Sequence, residues 1–225
     1  MASGFATRRE AGKKLARKLS SYANRLDVLV LALPRGGVPV AYEVACALHA
    51  PMDVFVVRKL GVPGHEELAM GAIASGGVRV LNDDLMRAMA IPASVIDAIA
   101  GQEQKELERR EHLYRGDRPQ PNLRGRTVML VDDGLATGST MRAAALALRK
   151  MQPAKLIVAV PVGAPETCDE FRAEVDEVVC AATPVPFIAV GAWYADFSQT
   201  SDAEVRELLH RAATYECDSV APMRL

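Results

Sequence analysis

The stretch that decides the fold is VMLVDDGLATGST, residues 128–140. The apolar run from Thr127 to Val131 is rich in β-branched residues and predicts a strand buried in a parallel sheet. It ends in two adjacent carboxylates, Asp132 and Asp133, after which small and hydroxyl-bearing residues lead into an Ala- and Leu-rich helix. Such a turn presents backbone N–H groups and hydroxyls at a helix N-terminus, an arrangement that favours a phosphate. Two carboxylates beside it suit a ligand that carries hydroxyls as well, such as a ribose 5-phosphate.

An ordinary strand–turn–helix unit is the alternative, with Asp as the turn former and Ser139 or Thr140 as the helix N-cap. A turn needs one Asp and one cap, whereas this stretch carries a whole set of acidic, small and hydroxyl-bearing residues. Two other common phosphate motifs, G-x-x-x-x-G-K-[ST] and G-x-G-x-x-G, do not occur in the chain. The pattern therefore favours a sugar-phosphate site.

The rest of the chain alternates predicted strands with predicted helices, which indicates a parallel α/β sheet with right-handed crossovers. Strands are predicted at 28–33, 52–57, 154–161 and 175–180, a hairpin at 68–81, and helices at 5–19, 37–50, 92–115, 165–173 and 202–213. Ligands of such sheets bind beyond the carboxyl ends of the strands. Three strand ends carry suitable residues: Arg35-Gly36-Gly37, Arg58-Lys59 and Asp132-Asp133.

The two basic strand ends suit anions. Arg35 would lie beside two exposed amides of Gly36 and Gly37, a combination that fits an oxyanion; the alternative is a turn in which glycine supplies a positive φ. Arg58 and Lys59 have no acidic neighbour until Glu66. Two adjacent cations repel each other unless an anion is near, and the alternative is one structural ion pair plus one exposed lysine.

Composition excludes several classes of protein. The chain has 225 residues, which predicts a single domain over 1–225, and its formal net charge of −1 argues against non-specific nucleic-acid binding. Its four cysteines form no C-x-x-C pair, so no zinc or other thiolate site is expected. No apolar run approaches 18 residues and no signal peptide is recognisable, which together predict a cytoplasmic protein without a membrane partner.

The order of strand, acidic pair, Thr/Gly/Ser loop and helix resembles the 5-phosphoribosyl-1-pyrophosphate (PRPP) signature of the type I phosphoribosyltransferases. The resemblance implies that family's fold, a mostly parallel central sheet flanked by helices with a small hood or hairpin subdomain. It implies that Asp132 and Asp133 hold the ribose 2- and 3-hydroxyls. The residues expected around the 5-phosphate are Ala136, Thr137, Gly138, Ser139 and Thr140.

The same resemblance assigns roles to the other strand ends. The segment 33–38 resembles the family's pyrophosphate-binding loop, which often contains a strained non-proline peptide, and Arg58 and Lys59 correspond to basic residues that contact the departing pyrophosphate. The segment 61–68 takes the place of a mobile loop that closes over the site. Within it Glu66 or Glu67 would act as a general base or orient the nucleophile, and the alternative is a loop charged for solubility.

A hood that stacks on a nucleobase is expected from about 183–215, with the N-terminal helix as a further candidate part. Its candidate base contacts are Phe187, Ile188, Trp193 and Tyr194. The alternative is that these side chains only close one end of the core.

The implied activity is phosphoribosyl transfer from Mg²⁺–PRPP to a nitrogenous base, or its reverse, with Mg²⁺ bound by PRPP oxygens and, through water, by Asp132 or Asp133. Family members that act on 6-oxopurines usually have Asp where this chain has Ala136, and Gly134 replaces a usually bulky residue, so the base is left open. The oligomeric state is also open, with a homodimer as one option. A PRPP-binding regulatory protein that keeps the fold without efficient transfer is the alternative function.

Overall fold

A computed structural model of the protein describes residues 4–214, apart from the side chains of Glu66 and Glu67. The strands are β1 (Val28–Ala32), β2 (Met52–Val54), β3 (Val57–Val62), β4 (His65–Ala74), β5 (Val78–Leu81), β6 (Thr127–Val131), β7 (Lys155–Val162) and β8 (Glu177–Ala182). The helices are α1 (Arg8–Lys18), α2 (Gly37–Leu48), α3 (Asp83–Ala88), α4 (Ala93–Arg115), α5 (Ser139–Lys150), α6 (Pro165–Phe171) and α7 (Asp202–Ala213). The main expectation, an α/β fold, is confirmed.

The central sheet has five parallel strands in the order β2-β1-β6-β7-β8. From β1 the chain runs outward to β2, and it later returns to the other side of β1 as β6. The strand order therefore reverses between β1 and β6, and this is the point where open α/β sheets bind ligands. Ala32 pairs with Val131, so the two strands end side by side.

Apolar residues cover both faces of this sheet, as expected for buried parallel strands. In β1, Val28 and Val30 point into a core shared with α1, α2 and α7, whereas Leu29 and Leu31 point into a core shared with α5 and α6. The alternation follows from the two-residue period of a strand. Helices on both faces thus hold the carboxyl ends of β1 and β6 in fixed positions.

The second sheet is antiparallel, with the order β3-β4-β5, and its β4–β5 pair confirms the predicted hairpin. The strand predicted over 52–57 is divided: Phe55 donates its N–H to Ala32 of the central sheet, and Val57 already pairs with Ala74. The chain leaves the central sheet there because the reciprocal hydrogen bonds of Val56 and Ser75 tie it to the second one.

The segment 61–68, expected as a loop, is instead the tip of the β3–β4 hairpin, and that prediction was wrong. Leu60 and Val62 are buried and pair with β4, and Gly64 with φ +76° makes the turn. The short helix α3 was not predicted; the side chain of Asn82 caps it by accepting from Leu85 N–H. No helix within residues 4–214 is long and apolar enough to span a membrane.

Candidate active site

The loop after β1 lies directly against the acidic pair that follows β6. A Cβ atom at Gly37 would come 2.9 Å from Asp132 Cα, and one at Gly36 would overlap the Asp133 carboxylate. Only glycine permits this approach. The peptide bond between Pro34 and Arg35 is cis and non-proline, in the segment where the resemblance leads us to expect such a bond.

The amides of this loop are only partly free. Gly37 N–H donates to Leu33 O at 3.1 Å, whereas the N–H groups of Arg35 and Gly36 have no hydrogen-bond partner among the described residues. The Arg35 side chain extends towards Asp202 at the start of α7, with 3.8 Å between Nη1 and Oδ1. Tyr114 of α4 donates to the same carboxylate at 2.6 Å. Arg35 therefore lies at the edge of the site with an acidic neighbour.

Each carboxylate of the acidic pair has one oxygen held by the protein. Asp132 Oδ1 accepts from Asp133 N–H at 2.8 Å, and Asp133 Oδ2 accepts from Arg8 Nε at 2.8 Å. The other two oxygens, Asp132 Oδ2 and Asp133 Oδ1, accept no hydrogen bond from any residue in the described range. Two neighbouring acceptors are thus left for a ligand.

Burial dominates the electrostatics of the pair. Desolvation, followed by the charge of Asp133, raises the pKa of Asp132 well above its usual value. Desolvation also raises the pKa of Asp133, and the hydrogen bond and charge of Arg8 oppose that shift. Two adjacent, partly buried carboxylates are costly to keep ionised, so the pair favours a ligand that brings hydroxyl donors or a cation.

Hydrogen bonds to neighbouring elements hold the backbone of the loop that follows the acidic pair. Leu135 N–H donates to Val162 O at 2.9 Å, and Leu135 O accepts from Ala164 N–H at 2.8 Å. Thr167 Oγ1 of α6 donates to Ala136 O at 2.6 Å. These contacts leave Thr137 and the first two residues of α5 exposed.

The first residues of α5 form an uncapped helix N-terminus. The N-cap is Gly138, whose φ of +71° a glycine adopts easily, and no side chain makes a capping hydrogen bond there. Ser139 and Thr140 are therefore the first helical residues, which contradicts the capping role that the strand–turn–helix alternative gave to them. Free N–H groups, the helix dipole and hydroxyls together form a site suited to an anion.

The two cations that follow β2 are separated because adjacent residues of β3 point to opposite faces. Lys59 Nζ lies 3.5 Å from Ser139 Oγ, at the N-terminus of α5. Arg58 Nε instead lies 2.5 Å from Glu103 Oε2 of α4. The structure thus brings Lys59, but not Arg58, to the N-terminus of α5.

The sequence did not single out Arg8, which belongs to the surroundings of Asp133. Residues 5–8 and 193–198, together called the clasp, are joined by backbone hydrogen bonds such as Phe5 N–H to Trp193 O at 2.8 Å. Tyr194 in the clasp donates its hydroxyl to Asp133 O at 2.5 Å. No local pattern could have revealed Arg8, since 125 residues separate it from Asp133.

The four candidate hood residues have different surroundings. Tyr194 contacts Asp133 as described, Phe187 and Trp193 pack on a small cluster that contains Phe5, and Ile188 is 79% exposed. Trp193 Nε1 is buried without a hydrogen-bond partner among the described residues.

A direct contact joins this region to the acidic turn, because Val190 occupies the space where a side chain at position 134 would lie. The unusual Gly134 is therefore explained by Val190. Glu66 and Glu67 have backbone positions in β4, but their side chains lie outside the described part of the structure.

Comparison with known proteins agrees with this geometry. A family model described as "Phosphoribosyl transferase domain" matches residues 7–194. Proteins from two strains of Mycobacterium tuberculosis, each named "Putative phosphoribosyl transferase", are 49% identical over 208 residues, which is 92% of this chain and 47% of theirs. The chain thus spans about half the length of these curated relatives. A Thermus thermophilus protein, TT1426, has a crystal structure that superposes with a TM-score of 0.82 at 42% identity, covering 92% of this chain and 97% of that one. The chain belongs to the phosphoribosyl transferase family.

Proposed function

We propose that the protein transfers the 5-phosphoribosyl group of PRPP to a nitrogen of a base and releases pyrophosphate. One observation carries the proposal: two carboxylates, each with one unoccupied oxygen, lie beside the uncapped N-terminus of α5. Hydroxyl-binding and phosphate-binding groups thus occur together, which is what a ribose 5-phosphate requires.

The ribose 5-phosphate end of PRPP fits the segment 132–140. The 5-phosphate would accept from the N–H groups at the start of α5 and from the hydroxyls of Thr137, Ser139 and Thr140. The ribose hydroxyls would donate to Asp132 Oδ2 and Asp133 Oδ1. Because backbone hydrogen bonds fix this segment, the ribose would be held in one orientation.

The pyrophosphate end would lie between the 33–38 loop and Lys59. The free amides of Arg35 and Gly36 point to an anion there, and Lys59 would supply positive charge as the C1–O bond breaks. Substitution at C1 of a sugar builds positive charge on the ring and negative charge on the leaving group. The chain would then act mainly by positioning PRPP and by stabilising the leaving pyrophosphate.

The residues fit a Mg²⁺ ion that takes most of its ligands from PRPP and water. The described residues form no group of three or more His, Cys, Asp or Glu side chains that could bind a metal by themselves. Asp132 and Asp133 nevertheless provide the hard oxygen atoms that Mg²⁺ prefers, directly or through water. Bound in this way, Mg²⁺ would neutralise part of the pyrophosphate charge.

The acceptor site is proposed to lie under the clasp and the segment 183–192, which together would form the hood. The contacts of Val190 with Gly134 and of Tyr194 with Asp133 support this proposal, because they join the region to the acidic pair. Glu66 and Glu67, whose backbone belongs to β4, are the candidates for assisting the acceptor.

The test is to incubate the purified chain with Mg²⁺–PRPP and a panel of purine, pyrimidine and pyridine bases, and to measure pyrophosphate release. We expect release with at least one base, and loss of that release in Asp132→Asn/Asp133→Asn. Calorimetric binding of PRPP with no release for any base would favour the PRPP-binding regulatory protein instead. Absence of PRPP binding would contradict both functions.

A further inference from the structure

Arg8 makes three contacts, one with the acidic pair and two with the clasp. Its Nε donates to Asp133 Oδ2 at 2.8 Å, its Nη1 donates to Ser198 O at 2.7 Å, and its Cζ lies 4.0 Å from the centre of the Phe197 ring. Only 11% of the Arg8 side chain and 15% of the Asp133 side chain are exposed. Such a partly desolvated, charge-assisted pair is much stronger than a surface ion pair.

These contacts determine which oxygen of Asp133 faces the ligand. Arg8 holds Oδ2, and Tyr194 holds the backbone carbonyl of the same residue at 2.5 Å. The carboxylate cannot rotate without breaking the Arg8 contact, so Oδ1 stays the oxygen that has no hydrogen-bond partner among the described residues. Asp132 is oriented differently, since its one hydrogen bond with the described residues comes from the backbone N–H of Asp133.

No other cation among the described residues takes this place. Lys59 lies at Ser139, Arg35 extends to Asp202, and Arg58 pairs with Glu103. Arg9, the next residue of α1, is turned towards Glu43 of α2. Among the described cations, Arg8 is therefore the one that pairs with the Asp133 carboxylate.

We infer that Arg8 is a positioning residue that presents Asp133 to the ribose of PRPP and couples it to the clasp. The inference rests on the proposed function, because it assigns the ligand of Asp133 as a ribose hydroxyl. Arg8 itself contacts no reacting atom. It acts through the orientation of Asp133, and the stacking of its guanidinium on Phe197 and its bond to Ser198 keep it in place.

The experiment measures the affinity for Mg²⁺–PRPP by calorimetry, without an acceptor, in wild type, Arg8→Gln, Arg8→Lys and Phe197→Leu. Arg17→Gln is the matched control, since it makes the same change in charge at an exposed position of the same helix. We expect the dissociation constant to rise about tenfold or more in Arg8→Gln and about threefold in Phe197→Leu. Arg8→Lys should recover part of the loss, because an ammonium can reach Asp133 but cannot also bond Ser198 and stack.

Steady-state kinetics with an active base separate positioning from a general loss of structure. Arg8→Gln should raise KM for PRPP about tenfold while kcat at saturating PRPP stays within about threefold of wild type. A misfolded variant would lower kcat in proportion to the folded fraction, and thermal melting monitors that directly.

Several outcomes would overturn the inference. Arg8→Gln with wild-type affinity would show that Asp133 needs no positioning, and tighter binding would show that Arg8 competes with the ribose. Equal losses in Arg8→Gln and Arg17→Gln would indicate a general effect of charge. If wild type itself does not bind PRPP, the proposed function fails, whereas wild-type binding with an unaffected Arg8→Gln removes only the role of Arg8.

Discussion

Two regions of the molecule meet at Asp133 but are built in different ways. The signature loop, residues 132–140, contains this residue, whereas the clasp, residues 5–8 and 193–198, contacts it. The signature loop is one continuous stretch whose shape is fixed by backbone hydrogen bonds to β7 and α6. The clasp joins two distant parts of the chain, and it reaches Asp133 through the side chains of Arg8 and Tyr194. The proposed phosphate end of the site is therefore encoded locally, whereas the proposed acceptor end depends on the assembled fold.

The largest expected effect comes from replacing both carboxylates of the acidic pair in the signature loop. Asp132→Asn/Asp133→Asn should weaken Mg²⁺–PRPP binding at least about 100-fold, because both free carboxylate oxygens lose their charge and part of their acceptor capacity. The melting temperature should change by only a few degrees, since burial already disfavours the ionised forms. Calorimetry and thermal melting measure the two quantities.

Asp97→Asn is the control for that pair, because Asp97 is an exposed residue of α4 that only pairs with Arg79. Its PRPP affinity should equal that of wild type. If the double variant also retained wild-type affinity, the assignment of the signature loop as the ribose site would have to be withdrawn.

A second change tests whether the signature loop is as rigid as its hydrogen bonds suggest. At Gly138 an added Cβ would lie 2.5 Å from Phe171 Cε2, and the φ of +71° disfavours a β-branched side chain. We expect Gly138→Val to lower the free energy of unfolding by about 2–4 kcal/mol and PRPP affinity by at least about tenfold. Urea denaturation and calorimetry provide the measurements.

Gly125→Val separates the cost of the backbone conformation from the cost of the steric overlap, since Gly125 has a φ of +74° but nothing within 4 Å of its Cβ position. In that variant the free energy of unfolding should fall only by the amount due to the unfavourable φ, and the PRPP affinity should not change. A loop that tolerated Gly138→Val without loss of affinity would be more adaptable than the comparison with the clasp implies.

The β3–β4 hairpin offers a third test, because two adjacent cations of β3 have different partners. Lys59→Ala should lower kcat/KM for PRPP about tenfold, since Lys59 Nζ lies at the N-terminus of α5, where the phosphates would bind. Arg58→Ala should change it less than about threefold, because Arg58 pairs with Glu103 instead. Initial rates of pyrophosphate release measure both. Equal losses would mean that Arg58 leaves Glu103 when PRPP binds.

The smallest expected effect concerns Asp27, which lies at the amino ends of β1 and β6, opposite the candidate site. Hydrogen bonds from Arg25 and Thr127 hold the pKa of Asp27 at about 2. The folded-state pKa lies below the unfolded value of about 3.9, so this stabilisation is present above about pH 4 and is lost as the pH falls towards 2. Asp27→Asn should cost less than about 1 kcal/mol at pH 7 because Asp27 is exposed.

Urea denaturation at several pH values checks that expectation, and the difference between wild type and Asp27→Asn should disappear near pH 2. PRPP affinity at pH 7 should not change, since Asp27 lies at the amino ends of the strands. A difference that stayed constant down to pH 2 would show that the hydrogen bonds, not the charge, carry the effect.

Features that are formed by consecutive residues could be predicted from the sequence. Strand β6 was predicted with its observed ends, and the helix predicted after the acidic pair is α5, which begins at Ser139. Both follow from periodicity and from turn residues that act within a few positions of each other. The placement of the acidic pair beside Gly36 and Gly37 also followed, since parallel strands end at one edge of a sheet.

What the sequence could not reveal depends on contacts between distant residues. Arg58 pairs with Glu103, which lies 45 residues further along the chain, and the need for Gly134 depends on Val190. The hairpin at 61–68 was missed because its Gly and Pro residues are equally typical of an irregular loop, and only pairing with β4 distinguishes the two.

The clasp also has a consequence for biosynthesis. A ribosome adds residues from the N-terminus, so Arg8 emerges long before Tyr194, which donates to Asp133, and Ser198, which accepts from Arg8. The signature loop can form as soon as β7 and α6 are present, but the contacts around Asp133 require residues up to 198. Under the proposed function, a nascent chain shorter than this would bind PRPP less tightly, and PRPP, once bound, would stabilise the folded arrangement by mass action.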